Sequence, residues 1–153
     1  MIYLSIIDPF TKNVDEPALN AAAQAVLDHQ KVNMDEVDLS IVVTDDASIQ
    51  DLNREYRGID SPTDVLSFSL NEKDPETSRL YLGDVIISFP RAFEQSVKGG
   101  HPVMAEIGLL TVHGTLHLFG YDHAEPDEKE KMWQVQQEIL SILNVKVNKW
   151  PED

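Results

Sequence analysis

Three of the five histidines in this sequence of 153 residues fall in one short stretch, His113-Gly114-Thr115-Leu116-His117-Leu118-Phe119-Gly120-Tyr121-Asp122-His123. In a helix of about 3.6 residues per turn, positions four apart share a face, so His113 and His117 can present two imidazoles to one ion. Gly120 then suits the end of that helix, because glycine tolerates the left-handed conformation that commonly closes one. The chain can fold back through Tyr121-Asp122 and deliver His123 as a third nitrogen. Three neutral imidazoles suit Zn²⁺ and leave a coordination position for water or substrate, the arrangement of a catalytic rather than a structural ion. With no cysteine in the chain, a transition metal has only His, Asp and Glu to bind.

The spacing H-x3-H-x2-G-x2-H is that of the metzincin zinc proteases. The residue after the first histidine is here Gly114, where those peptidases carry the general-base Glu, so hydrolysis stays open while peptidase chemistry loses its proton carrier. Asp122, next to His123, is a candidate to accept an imidazole N–H from outside the ligand set, or to form the turn itself. Glu106 lies close to two turns before His113 and shares its face, where it could orient a water. Met132 and Trp133 read as packing residues. His29, on an amphipathic helix, and His101, after Gly99-Gly100, are expected to face solvent.

A second polar segment runs Asn53-Arg54-Glu55-Tyr56-Arg57-Gly58-Ile59-Asp60-Ser61-Pro62-Thr63-Asp64-Val65-Leu66-Ser67-Phe68. A helix ends near Gly58, and Arg57 sits at that junction. Its planar fork could clamp a phosphate and offset charge developing in phosphoryl transfer. A basic residue at a helix carboxyl end is also favoured by the dipole alone.

The elements that position these groups follow from hydrophobic period. Ile2, Leu4 and Ile6 alternate as in a strand, and Asp15-Glu16-Pro17 opens a helix carrying Leu19, Ala22, Ala23, Val26 and Leu27. Val37, Leu39, Ile41 and Val43 alternate again, and Asp45-Asp46 can cap a helix bearing Ile49, Leu52 and Tyr56. Two further strands, Val65–Leu70 and Val85–Phe89, flank a polar stretch, Asn71 to Arg79, that reads as an exposed loop. Helical patterns follow over Ala92–Lys98, Pro102–Phe119 and Pro126–Leu143. The expected fold is α/β, bordering on α+β: a small four-stranded mixed sheet packed with helices, and one domain over residues 1–153, since no linker, repeat or low-complexity segment divides the chain.

Twelve basic against 27 acidic side chains give a net charge of −15, while 42% hydrophobic residues supply material for a core and argue against wholesale disorder. No secretory leader or membrane anchor is readable at the amino terminus, so cytoplasm is the expected location. The acidity by itself argues against a nucleic-acid partner, which draws on clustered Lys and Arg.

Arg57-Gly58 with Pro62-Thr63-Asp64-Val65-Leu66-Ser67-Phe68, then Leu82-Gly83-Asp84-Val85, then the histidine string resemble, in that order, the bacterial YbeY family of metal-dependent endoribonucleases. The resemblance covers nearly the whole chain. It implies a zincin-like single domain, one Zn²⁺ held by His113, His117 and His123, a functional arginine at Arg57, and action on single-stranded RNA. It further implies a role in late ribosome assembly, in 3′-end maturation of small-subunit ribosomal RNA and in ribosome quality control. Thr63-Asp64 stands where some members place Asn, adding a negative charge near the expected cleft. The acidity then requires a local cationic spot, Zn²⁺ and Arg57 with Arg54 or Arg91 nearby, and ribosomal proteins or an assembly GTPase to supply remaining affinity. Two other readings are a metal-dependent hydrolase of another substrate and a non-catalytic zinc-containing assembly factor.

Overall fold

Partly buried side chains alternate with exposed ones along Ile2–Ile6, the first strand β1, and the two-residue period continues in β2 (Val37–Thr44), where Val37, Leu39, Ile41 and Val43 point one way into the core. The computed structural model describes residues 1–147. Its sheet is completed by β3 (Val65–Lys73) and β4 (Leu80–Ser88) in the order β1-β2-β4-β3. β1, β2 and β4 run parallel, and β3 pairs antiparallel with β4 as an edge strand. The mixed four-stranded α/β architecture is thus as expected. The polar stretch differs: β3 extends to Lys73 and β4 starts at Leu80, so only residues 74–79 form the connection. Glu72 and Lys73 pair with Tyr81 and Leu80 of β4 beyond a bulge that takes up Leu70 and Asn71, so their backbone is hydrogen-bonded even though their side chains face water.

Among the described residues five α-helices surround the sheet: α1 (Glu16–His29), α2 (Asp46–Arg57), α3 (Phe89–Gly99), α4 (Val103–Leu118) and α5 (Pro126–Leu143). Asp15 caps α1 through the Ala18 amide and Asp45 caps α2 through the Ser48 amide, as acids before helical runs should. Helix α3 begins at Phe89, before Pro90, because Ser88 caps it by accepting from the Arg91 amide and proline suits the first turn. Leu19, Leu27, Leu39, Ile41, Val85, Ile107 and Leu110 belong to one core between the sheet and α1 and α4. Each such fully buried Leu or Ile contributes roughly 1.5–3 kcal/mol. Helix α5 closes the far side through Met132, Val135 and Ile139, against Leu109, Val112 and Leu116. On the other sheet face, Ile49 of α2 packs on Leu66 and Ile86. Helix α4 is buried almost all round, with Leu109, Leu110, Val112 and Leu116 inaccessible to solvent.

One ion pair ties down the start of β2. Arg79 donates from Nε to Asp38 Oδ2 at 3.0 Å and from Nη2 to Asp38 Oδ1 at 2.6 Å, with further bonds to the carbonyls of Met34 and Val37. This fork, helped by the Met1 amino group, holds the Asp38 carboxyl down at about 2 against an ordinary 3.8. The unfolded chain takes up a proton near 3.8 and the folded chain resists until about 2, so the contribution is present above the first value and lost as pH falls towards the second. With both side chains partly solvent-exposed, screening leaves about 1 kcal/mol. Asp38→Asn should therefore unfold at lower urea concentration than wild type at about pH 6, and the difference should vanish between about pH 4 and about pH 2.

Candidate metal centre and cleft

Position 114 sets how close α4 comes to the sheet. A Cβ on Gly114 would lie 2.5 Å from Val85 Cγ1 and 3.0 Å from Ser67 Oγ, so a Glu at this position has no room. The contact is reinforced by hydroxyls of β3: Ser67 donates to the Gly114 carbonyl at 2.9 Å and Ser69 to that of His117 at 3.4 Å. The side chains one position before and three after Gly114, His113 and His117, consequently open beside the edge strand.

Helix α4 ends as the glycine suggests. Gly120 has φ +91°, its N–H bonds the His117 carbonyl at 3.0 Å, and the Tyr121 N–H bonds the Leu116 carbonyl at 3.2 Å, the paired closure of a Schellman turn. The reversal brings His123 over the helix. Ring centroids of the three histidines lie 4.7, 5.3 and 5.2 Å apart, and one nitrogen from each falls within 4.8 Å of the others.

The orientation of two rings is set from outside the group. His113, 1% exposed, places Nδ1 2.8 Å from Gln136 Oε1 of α5, and His117 places Nδ1 2.8 Å from the Tyr121 carbonyl. Both oxygens only accept, so each Nδ1 carries the proton and each Nε2 turns a lone pair inward. Those two Nε2 atoms are 3.1 Å apart. Facing lone pairs at that distance are favourable only around a shared cation, and an all-nitrogen donor set of this kind fits a divalent transition metal. Gln136 is fully buried and was invisible to the spacing argument: a glutamine on a predicted helix gives no signal of which face it presents.

The histidines form one wall of a cleft of about 560 Å³, faced by Arg57, Ile59, Ser67 and Ser69. Arg57 closes α2, donates from Nη2 to the Ser67 carbonyl at 2.6 Å, and lies with Cζ 5.3 Å from the centroid of the Phe68 ring. Asn53 sets the turn that follows: its Nδ2 donates to the Ser61 carbonyl at 2.9 Å and its own carbonyl accepts from Ile59. The expected cationic neighbours are otherwise engaged. Arg54 pairs with Asp51 at 2.8 Å and Asp60 at 3.4 Å, and Arg91 pairs with Asp46 at 3.4 Å. Among the described residues, no carboxylate lies within ion-pairing distance of Arg57.

Asp122 takes the turn-forming one of its two expected roles, and several other side chains sit differently from expectation. Asp122 directs its carboxylate to the backbone N–H of His123 at 2.7 Å, which shapes the turn. The carboxylate of Asp64 is buried, accepting from the Val65 amide and from Gln95 Nε2, and does not line the cleft. His101 is not solvent-facing: its Nε2 meets Glu106 Oε1 at 2.6 Å with the two side chains 4% and 3% exposed. Burial raises the Glu106 carboxyl above its ordinary range and His101 opposes the rise. Glu106 is therefore engaged at the start of α4 and is absent from the cleft lining. His29 is half-buried against Glu138 at 2.9 Å. Met132 is fully buried, as expected of a packing residue, and no helix among the described residues is long and apolar enough to cross a membrane.

Comparisons with known proteins bear on the fold and the family. The solution structure of TM1509 from Thermotoga maritima superposes with a TM-score of 0.58 over 94% of this chain and 92% of that one, at 23% identity, and so shares the fold. A protein described as Endoribonuclease YbeY from Persephonella marina is 45% identical over 134 residues, covering 86% of each chain. Its counterpart from Brevibacillus brevis is 38% identical over 95% of this chain and 99% of that one. The family model described as Endoribonuclease YbeY matches residues 7–144, which contain the cleft, all three histidines and Arg57, and the chain belongs to that family.

Proposed function

We propose that this chain is a metal-dependent endoribonuclease that cuts single-stranded RNA in ribosomal RNA maturation, at the small-subunit 3′ end, and that residues 1–153 work as one such domain in the cytoplasm. The observation that carries the reading is the convergence of three imidazoles opposite a guanidinium in one cleft of a YbeY-family chain. In this reading His113, His117 and His123 hold the ion, and the all-nitrogen set without thiolates supports zinc. When bound, such an ion acidifies water and polarises a phosphoryl oxygen.

The chain's own residues do the rest. Gln136 and the Tyr121 carbonyl keep the Nδ1 protons of His113 and His117 on the outer side, so that both Nε2 atoms stay available. Arg57 spends one N–H on Ser67, which holds the fork in place, and offers its remaining donors to a phosphate oxygen across from the histidines. The sheet excludes any side chain at position 114, so the proton carrier of a metzincin peptidase has no place, which disfavours peptide substrates. With a net charge of −15 and three of its arginines paired to aspartates, the isolated chain is suited to weak RNA binding. Ribosomal proteins or an assembly GTPase are proposed to supply the remaining affinity on the ribosome.

Metal analysis and RNA cleavage on proteins prepared side by side test this. Wild type should carry a single zinc ion and cleave, and His113→Ala should lose both. Cleavage undiminished in His113→Ala would point to another nuclease. Arg57→Ala should keep its metal while cleavage falls roughly hundredfold; loss of metal as well would make Arg57 architectural. Gln136→Leu should bind zinc roughly ten- to hundredfold more weakly in a chelator-competition titration, because the His113 tautomer is no longer held.

A further inference from the structure

Among the exposed large apolar side chains, Tyr56 (62% exposed) directly precedes Arg57 in α2, and Ile59 lines the cleft beside it. Tyr56 is held edge-on to Phe68, with centroids 5.5 Å apart and planes at 65°, while the Arg57 guanidinium covers the Phe68 ring at 5.3 Å. Phe68 is itself anchored in the packing of Ile49, Leu66 and Ile86. The aromatic unit therefore has a fixed base and an open ring, and it adjoins the guanidinium that lines the cleft.

We infer that Tyr56, braced by Phe68 beside Arg57, is a stacking platform for an unpaired nucleobase of the RNA strand. The inference rests on the endoribonuclease reading and names how that site holds its substrate. An exposed tyrosine on the outer face of a helix is open to water at a cost that bonding to solvent does not remove, whereas a base covers the ring. The charge balance points the same way. A chain of net charge −15 has little general attraction for phosphates, and stacking is the part of single-strand binding that needs no charge and tolerates any base. Arg57 is the arginine without a carboxylate partner among the described residues, so a phosphate on its fork places the adjoining base within reach of the neighbouring ring. A duplex keeps its bases stacked on one another and cannot use this surface, so the platform also accounts for a preference for single strands.

The test is steady-state cleavage of a single-stranded oligoribonucleotide by wild type, Tyr56→Phe, Tyr56→Leu and Tyr56→Ala, together with a series of the same oligonucleotide carrying one abasic ribose at successive positions. Tyr56→Ala and Tyr56→Leu should raise KM roughly tenfold with kcat and zinc content little changed, and Tyr56→Phe should retain the wild-type value. One abasic position should raise the wild-type KM by a similar factor and leave that of Tyr56→Ala unmoved. An unchanged KM in Tyr56→Ala, full rescue by leucine, or an abasic series without effect on wild type overturns the platform while the nuclease stands. The abasic series on wild type decides the matter even if Tyr56→Ala melts early. Wild type that carries zinc yet cleaves no RNA overturns the nuclease reading itself. Unchanged cleavage with lost co-sedimentation on ribosomal subunits would give the surface to a protein and refute the nucleobase.

Discussion

The contact of α4 with the sheet at Gly114 is the constraint on which the site depends. Because position 114 has no side chain, the helix backbone comes within reach of the Ser67 hydroxyl, and the two elements are joined by a hydrogen bond as well as by packing against Val85 and Val65. Any larger residue would push the helix outward and carry His113 and His117 away from the edge strand with it. The same approach gives the cleft its second wall, since Ser67 and Ser69 of β3 and the arginine bonded to the Ser67 carbonyl stand opposite the histidines.

Within that frame the imidazoles are oriented by acceptors drawn from far apart in the chain. The Tyr121 carbonyl is local and follows from the turn at Gly120, but Gln136 comes from α5, which is pressed against α4 by Met132, Val135 and Ile139. The apolar packing of a surface helix thus settles the tautomer of a buried histidine. Positive charge is managed in a comparable way. Arg54, Arg79 and Arg91 are each engaged by aspartate, and Arg57 is directed by a carbonyl and an aromatic ring, neither of which neutralises it. In so acidic a protein this leaves Arg57, of the four arginines, without a carboxylate partner among the described residues.

Where expectation and structure part, the reason is in each case a specific hydrogen-bond partner that residue type and period do not announce. His101 after two glycines looks like a loop residue, yet Glu106 one turn into α4 draws it into a buried pair. Glu72 and Lys73 are polar enough for a loop, yet β4 offers them a ladder, and a strand needs only backbone pairing when its side chains face water. Asp64 belongs to a segment that lines the cleft, yet its own amide neighbour and Gln95 turn its carboxylate inward. Of the two roles open to Asp122 in the sequence, the bond to the amide directly after it is the turn-forming one, as is common for short acidic side chains in turns.

The order and type of the elements, the caps at Asp15 and Asp45, the reversal at Gly120 and the grouping of the three histidines were legible in sequence, because each rests on residues within a few positions of one another and on the fixed periods of helix and strand. The strand order β1-β2-β4-β3, the closeness of α4 to β3, the meeting of Arg57 with that same strand and the hand of Gln136 on His113 were decided only by the tertiary structure. These contacts join positions on different elements, from 10 to 47 residues apart, and whether they form depends on how whole faces pack, which no local pattern of residue types encodes.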